Sequence, residues 1–370
     1  MNDTLGIIMA GNSGPELGEI TRSRPMGAVP VASRYRLVDF ILSNMVNSGI
    51  DRVGIPTQTH YRSLMDHLGS GAAWDLNRKR HGLVVLPPYM SDNAHEMRGD
   101  LDVLNSILDY ITASNRKYVL LSGSDFIFNT TFDALAAFHK QNGADVTLMY
   151  YAAPQNDVPD RHVGVRVAEN GRVTEMEINA VRPFTDRISM GIYFMERDFL
   201  EYHISRCLSR GLHDFAADVL LKEQEKLKIF GFAYRGYAGR VHNIQSFYRC
   251  NMDMLSPVVS AQLFDGKEAV YTKVKDKVPT IYGENVTVKN SMVADGCIIN
   301  GTVENSIIFR GVQIEEGAVV KNSIVMQDSF LQAGAWLENA ILDKSVVIRK
   351  NRRLIGQENY PVTVGKNAVV

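Results

Sequence analysis

The sequence predicts an α/β domain, a parallel sheet with helices on both faces, followed by a parallel β-helix. Three observations carry this. Up to about residue 255, short apolar runs alternate with amphipathic segments, the pattern of strands linked through crossover helices. From residue 281 the spacing changes: Val286, Met292 and Ile298 recur at every sixth position, as do Ile308, Ile314, Val320 and Met326, and then Leu342, Ile348 and Leu354. Gly, Asn, Ser and Asp fill the corners between them, as expected of rungs that bury an apolar face only by stacking. Between the two regions, residues 256–280 hold two prolines and a charged stretch and read as a linker. The expected domains are therefore 1–255 and 281–370, and a length of 370 residues agrees with two.

The elements follow in order. Leu5–Met9 is a short apolar run ending before Gly11 and reads as a buried strand. Leu37, Val38, Ile41, Met45 and Val46 recur at helical spacing, with Gly49 placed to end the helix. Strands are expected over Arg52–Thr57, Leu83–Leu86, Tyr118–Leu121 and Asp145–Tyr151. Leu101, Leu104, Ile107, Leu108 and Ile111 form one helical stripe, and Phe132–His139 another helix. Asn170-Gly171 is a hairpin turn signal between Val163–Ala168 and Val173–Ile178. Ile188–Met195 is a strand; Arg197–Ser209, Asp214–Lys226 and Ser246–Leu255 are helices. The alternation Lys273-Lys275-Lys277 reads as the exposed face of a short strand.

Composition excludes several classes. Forty basic residues against 41 acidic ones give a net charge of −1, which argues against a nucleic-acid binder. Cys207, Cys250 and Cys297 are three scattered thiols, with neither a disulfide framework nor a metal pair. No basic residue precedes Arg22 and no apolar run approaches a membrane span, so the expectation is a cytoplasmic protein without membrane contact. None of the nine histidines lies beyond His242. A β-helix acyltransferase needs a histidine base on its coil, so the coil reads as a structural or assembly module. His213-Asp214-Phe215 reads as a helix start, with Asp214 as N-cap and Phe215 in the core. Trp74 and Trp336 read as packing residues.

Ala10-Gly11-Asn12-Ser13-Gly14-Pro15-Glu16-Leu17 follows the first strand. A glycine-bearing loop there can present N–H groups to phosphate, or can simply be a tight turn. This loop, together with Arg34-Tyr35-Arg36-Leu37-Val38-Asp39-Phe40-Ile41-Leu42-Ser43-Asn44, Asn47-Ser48-Gly49-Ile50, Arg98-Gly99, Asp125, Ser189-Met190-Gly191-Ile192-Tyr193 and the hexapeptide repeats, resembles bacterial glucose-1-phosphate adenylyltransferase over nearly the whole chain. The resemblance implies a nucleotidyltransferase-type Rossmann-like domain followed by a left-handed β-helix. It also implies a pocket containing Gly11, Gly14, Arg98, Gly99, Asp125 and Gly191. The family joins ATP and glucose 1-phosphate, releases pyrophosphate, and consists typically of allosteric tetramers.

That reaction gathers negative charge at the α-phosphate, so it needs positioned cations, Mg²⁺ on carboxylates and Lys or Arg side chains. The sequence departs from the family at those positions. Pro15 and Glu16 stand where the family has Thr-Arg. Met26-Gly27 stands where it has Lys-Pro. Ile178-Asn179-Ala180 replaces the Glu-Lys-Pro that holds the sugar phosphate, and Asn243 replaces the second metal aspartate. Tyr89-Met90 replaces the base-reading glutamines. No lysine occurs before Lys79, nor between Lys140 and Lys222, and no shift of alignment creates one.

Asp125 alone matches a metal ligand and is expected to bind Mg²⁺ weakly at most, or to serve as a cap. Arg22, Arg24, Arg34 and Arg36 are candidates for an anionic effector, a sugar phosphate or nucleotide, or else pair with Asp39 or stay solvated. The implied role is that of a regulatory, catalytically impaired subunit, with no cofactor of its own. Its partner would be a homologous catalytic subunit that uses Mg²⁺, in a heterotetramer. The alternative is an active sugar-nucleotide pyrophosphorylase with an altered cation set.

Overall fold

The structure is a computed structural model that describes residues 1–11, 15–78, 81–87, 97–153 and 160–370, with the backbone alone at residues 15 and 16. Nine strands build the main sheet: β1 (Thr4–Met9), β2 (Arg52–Pro56), β3 (Gly82–Leu86), β4 (Tyr118–Gly123), β5 (Val146–Ala152), β6 (Val163–Val167), β7 (Val173–Ile178), β8 (Arg187–Glu196) and β9 (Ile229–Ala233). Their order is β7-β6-β8-β4-β1-β2-β3, with β5 joining β8 to β9.

The sheet is mixed rather than wholly parallel. β4, β1, β2 and β3 pair in parallel, but β8 runs antiparallel to both β4 and β5. A parallel return needs a crossover of a dozen or more residues, usually a helix. The hairpin β6–β7 stands before β8 instead, and the chain re-enters the sheet reversed. Helix α1 (Leu37–Asn47) buries Leu37, Val38, Ile41 and Met45 as their spacing predicts. The stripe of Leu101–Ile111 is split by Ile107, with backbone φ −117° and ψ 15°, into α2 (Asp100–Ser106) and a shorter helix Leu108–Thr112. All three cysteines are free and buried.

The second region is a left-handed β-helix. Three five-stranded parallel sheets form its sides. Ile299, Ile314, Leu331 and Ile348 stack in register as one inward column, each at most 1% exposed. The steps of this column are 15 or 17 residues, not a constant multiple of six. The phase therefore slips between coils. Ile298, expected inside, is 39% exposed, and its neighbour Ile299 takes the interior place.

The expected linker is partly ordered into α4 (Pro257–Phe264), preceded by α3 (Ile244–Asp253). The lysines at 273, 275 and 277 lie on irregular chain rather than on a strand. Lys273 donates to the carbonyl of Asp66 instead. One side of the coil is buried against the α/β domain. Phe40, Phe247 and Tyr248 pack with Ile307, Phe309, Ile324 and Met326 in one apolar cluster. The Tyr248 hydroxyl donates to the Asn322 carbonyl at 2.6 Å.

Candidate functional site

β1 and β4 run parallel, from Thr4 beside Tyr118 to Met9 beside Gly123, so their carboxyl ends meet. Open α/β sheets bind ligands at such ends. A cavity of about 280 Å³ opens there, lined by Met9, Met26, the turn Leu121–Asp125, Met190, Gly191, Tyr193 and the segment Arg240–Asn243. Asp100, Asp160 and Arg161 complete it.

Asp125 stands in the turn after β4. Gly123 gives that carboxylate room: a Cβ would fall 2.8 Å from Asp125 Oδ1 and push it aside. Phe126–Ile127 pairs antiparallel with Gly239–Arg240, setting Arg240 beside Phe126. The pairing delivers the guanidinium to the carboxylate. Arg240 Nε donates to Asp125 Oδ2 at 2.9 Å and Nη1 donates to the Arg161 carbonyl at 3.0 Å. Asp125 is thus one half of a sheltered ion pair, its side chain 26% and that of Arg240 18% exposed.

Asn243 is the N-cap of α3. Its Oδ1 accepts the Ser246 N–H at 2.7 Å, and its own N–H donates to Ser246 Oγ at 2.9 Å, a reciprocal capping box. Asp100 is half-buried, and its Oδ1 accepts the Phe215 N–H at 2.7 Å. Burial, then the charge of Asp214, pushes its carboxyl up to about 7. Gly191 has φ +65°, where the β8–β5 register slips between Ser189 and Ile192.

Other predicted positions fall elsewhere. Arg98 and Gly99 both donate backbone N–H groups to Asp102 Oδ2, at 2.8 and 3.1 Å, and do not line the cavity. Gly99 is fixed by packing: a Cβ would lie 2.2 Å from the His213 carbonyl oxygen. Gly11 packs on Gln58, and Gly27 is enclosed by Ala10, Ser124 and Val38. Asn179 sits at the end of the β6–β7 hairpin with φ +53°, its Oδ1 accepting the His162 N–H at 2.9 Å, away from the cavity lining. Gly14 and Tyr89-Met90 lie outside the described residues, as do the side chains of Pro15 and Glu16. Asp214 is an N-cap as expected, accepting the Ala217 N–H at 2.7 Å.

The four arginines divide. Arg22 is exposed and pairs with Glu19 at 3.3 Å, and Arg34 lies over the Tyr35 ring at 5.4 Å. Arg24 is buried, and its Nη2 donates to both carboxylate oxygens of Asp343 in the β-helix, at 2.9 and 3.0 Å. The Arg36 side chain does not pair with Asp39; Nη1 donates to the Ser63 carbonyl at 2.6 Å, while its backbone N–H meets Asp39 Oδ2 at 2.9 Å. Burial lowers the Arg36 guanidinium to about 10. Lys344 lies in the same field. Burial, then Arg36, Arg24 and Lys275, lower its ammonium to about 7, with Asp343 opposing. Burial, then Arg36, Arg310 and Lys273, lower Lys275 as well, with Asp328 opposing. Arg24, Arg36, Lys275 and Lys344 thus share one field, with Asp343 bound to Arg24 and with Asp39, Asp66 and Asp328 also acting on it.

The sequence is similar to known proteins throughout. A nucleotidyl transferase family model matches residues 5–255, and a GlmU-like C-terminal hexapeptide model matches residues 277–360. The chain belongs to the nucleotidyl transferase family. Its relatives place it among the glycogen-biosynthesis members. It is 37% identical to the glycogen biosynthesis protein GlgD of Bacillus subtilis, over 100% of this chain and 97% of that protein. It is 32% identical to the glucose-1-phosphate adenylyltransferase of Acetivibrio thermocellus, over 97% of this chain and 85% of that protein. It is 33% identical to that of Halalkalibacterium halodurans, over 84% and 82%.

Nucleotidyl transferases generally use Mg²⁺, which takes near-octahedral oxygen ligands at about 2.0–2.1 Å. The residues present do not fit it. Asp125 is bonded to a guanidinium. Asn243 has one side-chain oxygen, and the helix cap uses it; an aspartate there would cap with one oxygen and ligate with the other. Among the described residues no three His, Cys, Asp or Glu side chains group as a metal site. No helix among them is long and apolar enough to cross a membrane.

Sequence reasoning missed Arg240. Its signal was a basic residue three positions before Asn243. Asp100, Asp160 and Arg161 were missed as well. Lys344 and Asp343 carry no local signal, because only the docking of the two domains brings them to Arg24.

Proposed function

We propose that this chain is a regulatory, catalytically impaired subunit of glucose-1-phosphate adenylyltransferase in glycogen biosynthesis, acting on a homologous catalytic subunit in a heterotetramer. The observation that carries the reading is Arg240 on Asp125: the one position that matches the family's metal ligands is already neutralised from within the chain. The fold that would dock with a homologue is kept, while Met26 and Asn243 stand in the cavity where the family resemblance puts a lysine and the second metal aspartate. The test is pyrophosphate release from ATP, glucose 1-phosphate and Mg²⁺, with this chain alone and with the catalytic homologue added. The expected result is background alone and a changed rate or saturation curve in the mixture. Turnover by this chain alone at the partner's rate overturns the reading.

The convergence of Arg24, Arg36, Lys275 and Lys344 supports an anionic effector, a sugar phosphate or nucleotide, between the two domains. An anion favours the charged lysine, and Lys344 loses its proton near pH 7. Below that pH the ammonium is already present; above it, binding must first take up a proton, so affinity falls as pH rises. Sulfate keeps a constant charge over this range. Its dissociation constant by calorimetry is expected to weaken up to about 25-fold from pH 6.5 to 8.5, the fall in the charged fraction of a group titrating near 7. Lys344→Met is expected to flatten the profile, and an unchanged profile in that variant would exclude Lys344 from the site.

A further inference from the structure

We infer that Arg240 is the resident cation of the sheet-end cavity: its guanidinium takes the place a divalent metal would occupy at Asp125 and keeps the metal out. The inference rests on reading this cavity as a catalytic pocket out of use, and not on the existence of a partner subunit.

Four observations converge. The carboxylate oxygen Oδ2 of Asp125 is bonded to Arg240 Nε at 2.9 Å, so a metal reaching that oxygen must first displace the donor. The guanidinium is anchored at a second point by the Arg161 carbonyl, at 3.0 Å from Nη1. Its carbon lies 5.5 Å from the Phe126 ring centre, above a face that favours a cation. The backbone beneath is held in register by the ladder between Phe126–Ile127 and Gly239–Arg240, and by the Val241 N–H donating to the Asp125 carbonyl at 2.8 Å.

Arginine suits this place better than lysine. A guanidinium stays charged throughout the working pH range, so no change of pH there releases the carboxylate. Its flat fork satisfies a carboxylate and a carbonyl at once, which a compact ammonium does not do as well. Asn243, which also lines the cavity, adds no free ligand, because its oxygen is committed to Ser246. Loss of metal use is therefore a built interaction rather than the mere absence of a ligand. Removing Arg240 uncovers a carboxylate, whereas adding a carboxylate at residue 243 leaves the guanidinium in place.

The experiment is titration of the full-length chain with Mn²⁺ alone, followed by the loss of the free-ion electron paramagnetic resonance signal. The variants are Arg240→Gln, Asp125→Asn, the two together, and Asn243→Asp. Wild type is expected to show no site that Asp125→Asn removes. Arg240→Gln is expected to gain one Mn²⁺ site at least about tenfold tighter, and the double variant to lose it. Asn243→Asp, which leaves Arg240 untouched and keeps the helix cap, is expected to gain none. A wild-type Mn²⁺ site that depends on Asp125, or a gain in Asn243→Asp alone, overturns the inference. So does a folded Arg240→Gln chain, by circular dichroism, with no added site. Should Arg240→Gln not fold, the wild-type and Asn243→Asp titrations still decide.

Discussion

Replacing Asp343 by Ala is expected to lower stability by about 3–5 kcal/mol, the range for breaking a buried ion pair from one side. Arg24 and Asp343 are 4% and 1% exposed, so neither charge has water to fall back on. The direction of loss matters. Without Asp343, the Arg24 guanidinium remains buried in a field already shared with Arg36 and Lys344. Asp343 also accepts the Lys344 N–H at 2.7 Å. At about 2.1 cal/mol/K of unfolding entropy per residue, such a loss lowers Tm by about 5 °C in a chain of this length. Arg24→Met with Asp343→Asn removes both charges while keeping an acceptor for Lys344. It is expected to recover most of the loss, because burying no charge avoids the desolvation cost. Sulfate is expected to raise the Tm of Asp343→Ala more than that of wild type, since an anion bound only by the folded chain stabilises it in proportion to its occupancy. Equal shifts would place the anion away from Arg24.

Converting Glu16 to Arg, Asn179 to Lys and Asn243 to Asp together is expected to leave pyrophosphate release at background. The three changes restore the charges that the sequence comparison singles out. Arg240 still covers Asp125, however, and a lysine at 179 must adopt the left-handed backbone, φ +53°, while giving up the bond to the His162 N–H. Adding Arg240→Gln is expected to raise the rate at least tenfold over the triple variant. A single positioned cation or donor at a developing phosphate charge contributes on the order of 10²–10³ in rate, so the gain is measurable even with Met26 unchanged. If the triple variant is already active and Arg240→Gln adds nothing, the guanidinium is not what blocks the pocket.

Much of this could be read from residue order. The first strand, the hairpin at Asn170-Gly171 and the helix of Leu37–Asn47 follow from local spacing and turn chemistry, and the structure has each of them. The hexapeptide period led to the β-helix. The misplaced Ile298 shows where such reading stops: coils of 15 and 17 residues differ by less than a hexad, and only the stacked register tells which of two adjacent isoleucines points inward. The reversed β8 is a second case. Strand direction depends on how the chain returns to the sheet, and apolar runs carry no arrow.

The candidate site divides in the same way. Asp125, Gly191 and Asn243 were legible because each sits in a recognisable string and lines the cavity. Arg98, Gly99 and Asn179 belong to equally recognisable strings, yet the first two cap α2 and the third ties off a hairpin. A motif preserves residue identity; it does not preserve which atoms face the ligand.

By itself the sequence determined the two-part architecture, the family resemblance and the missing lysines, because these rest on counts, periods and short strings. The tertiary structure alone decided the charges. Arg24 meets Asp343 across 319 positions of chain, and Arg240 meets Asp125 across 115. Coulomb forces and hydrogen bonds act over a few ångströms in space, so the partner of an ionised group is fixed by packing and not by its neighbours in sequence.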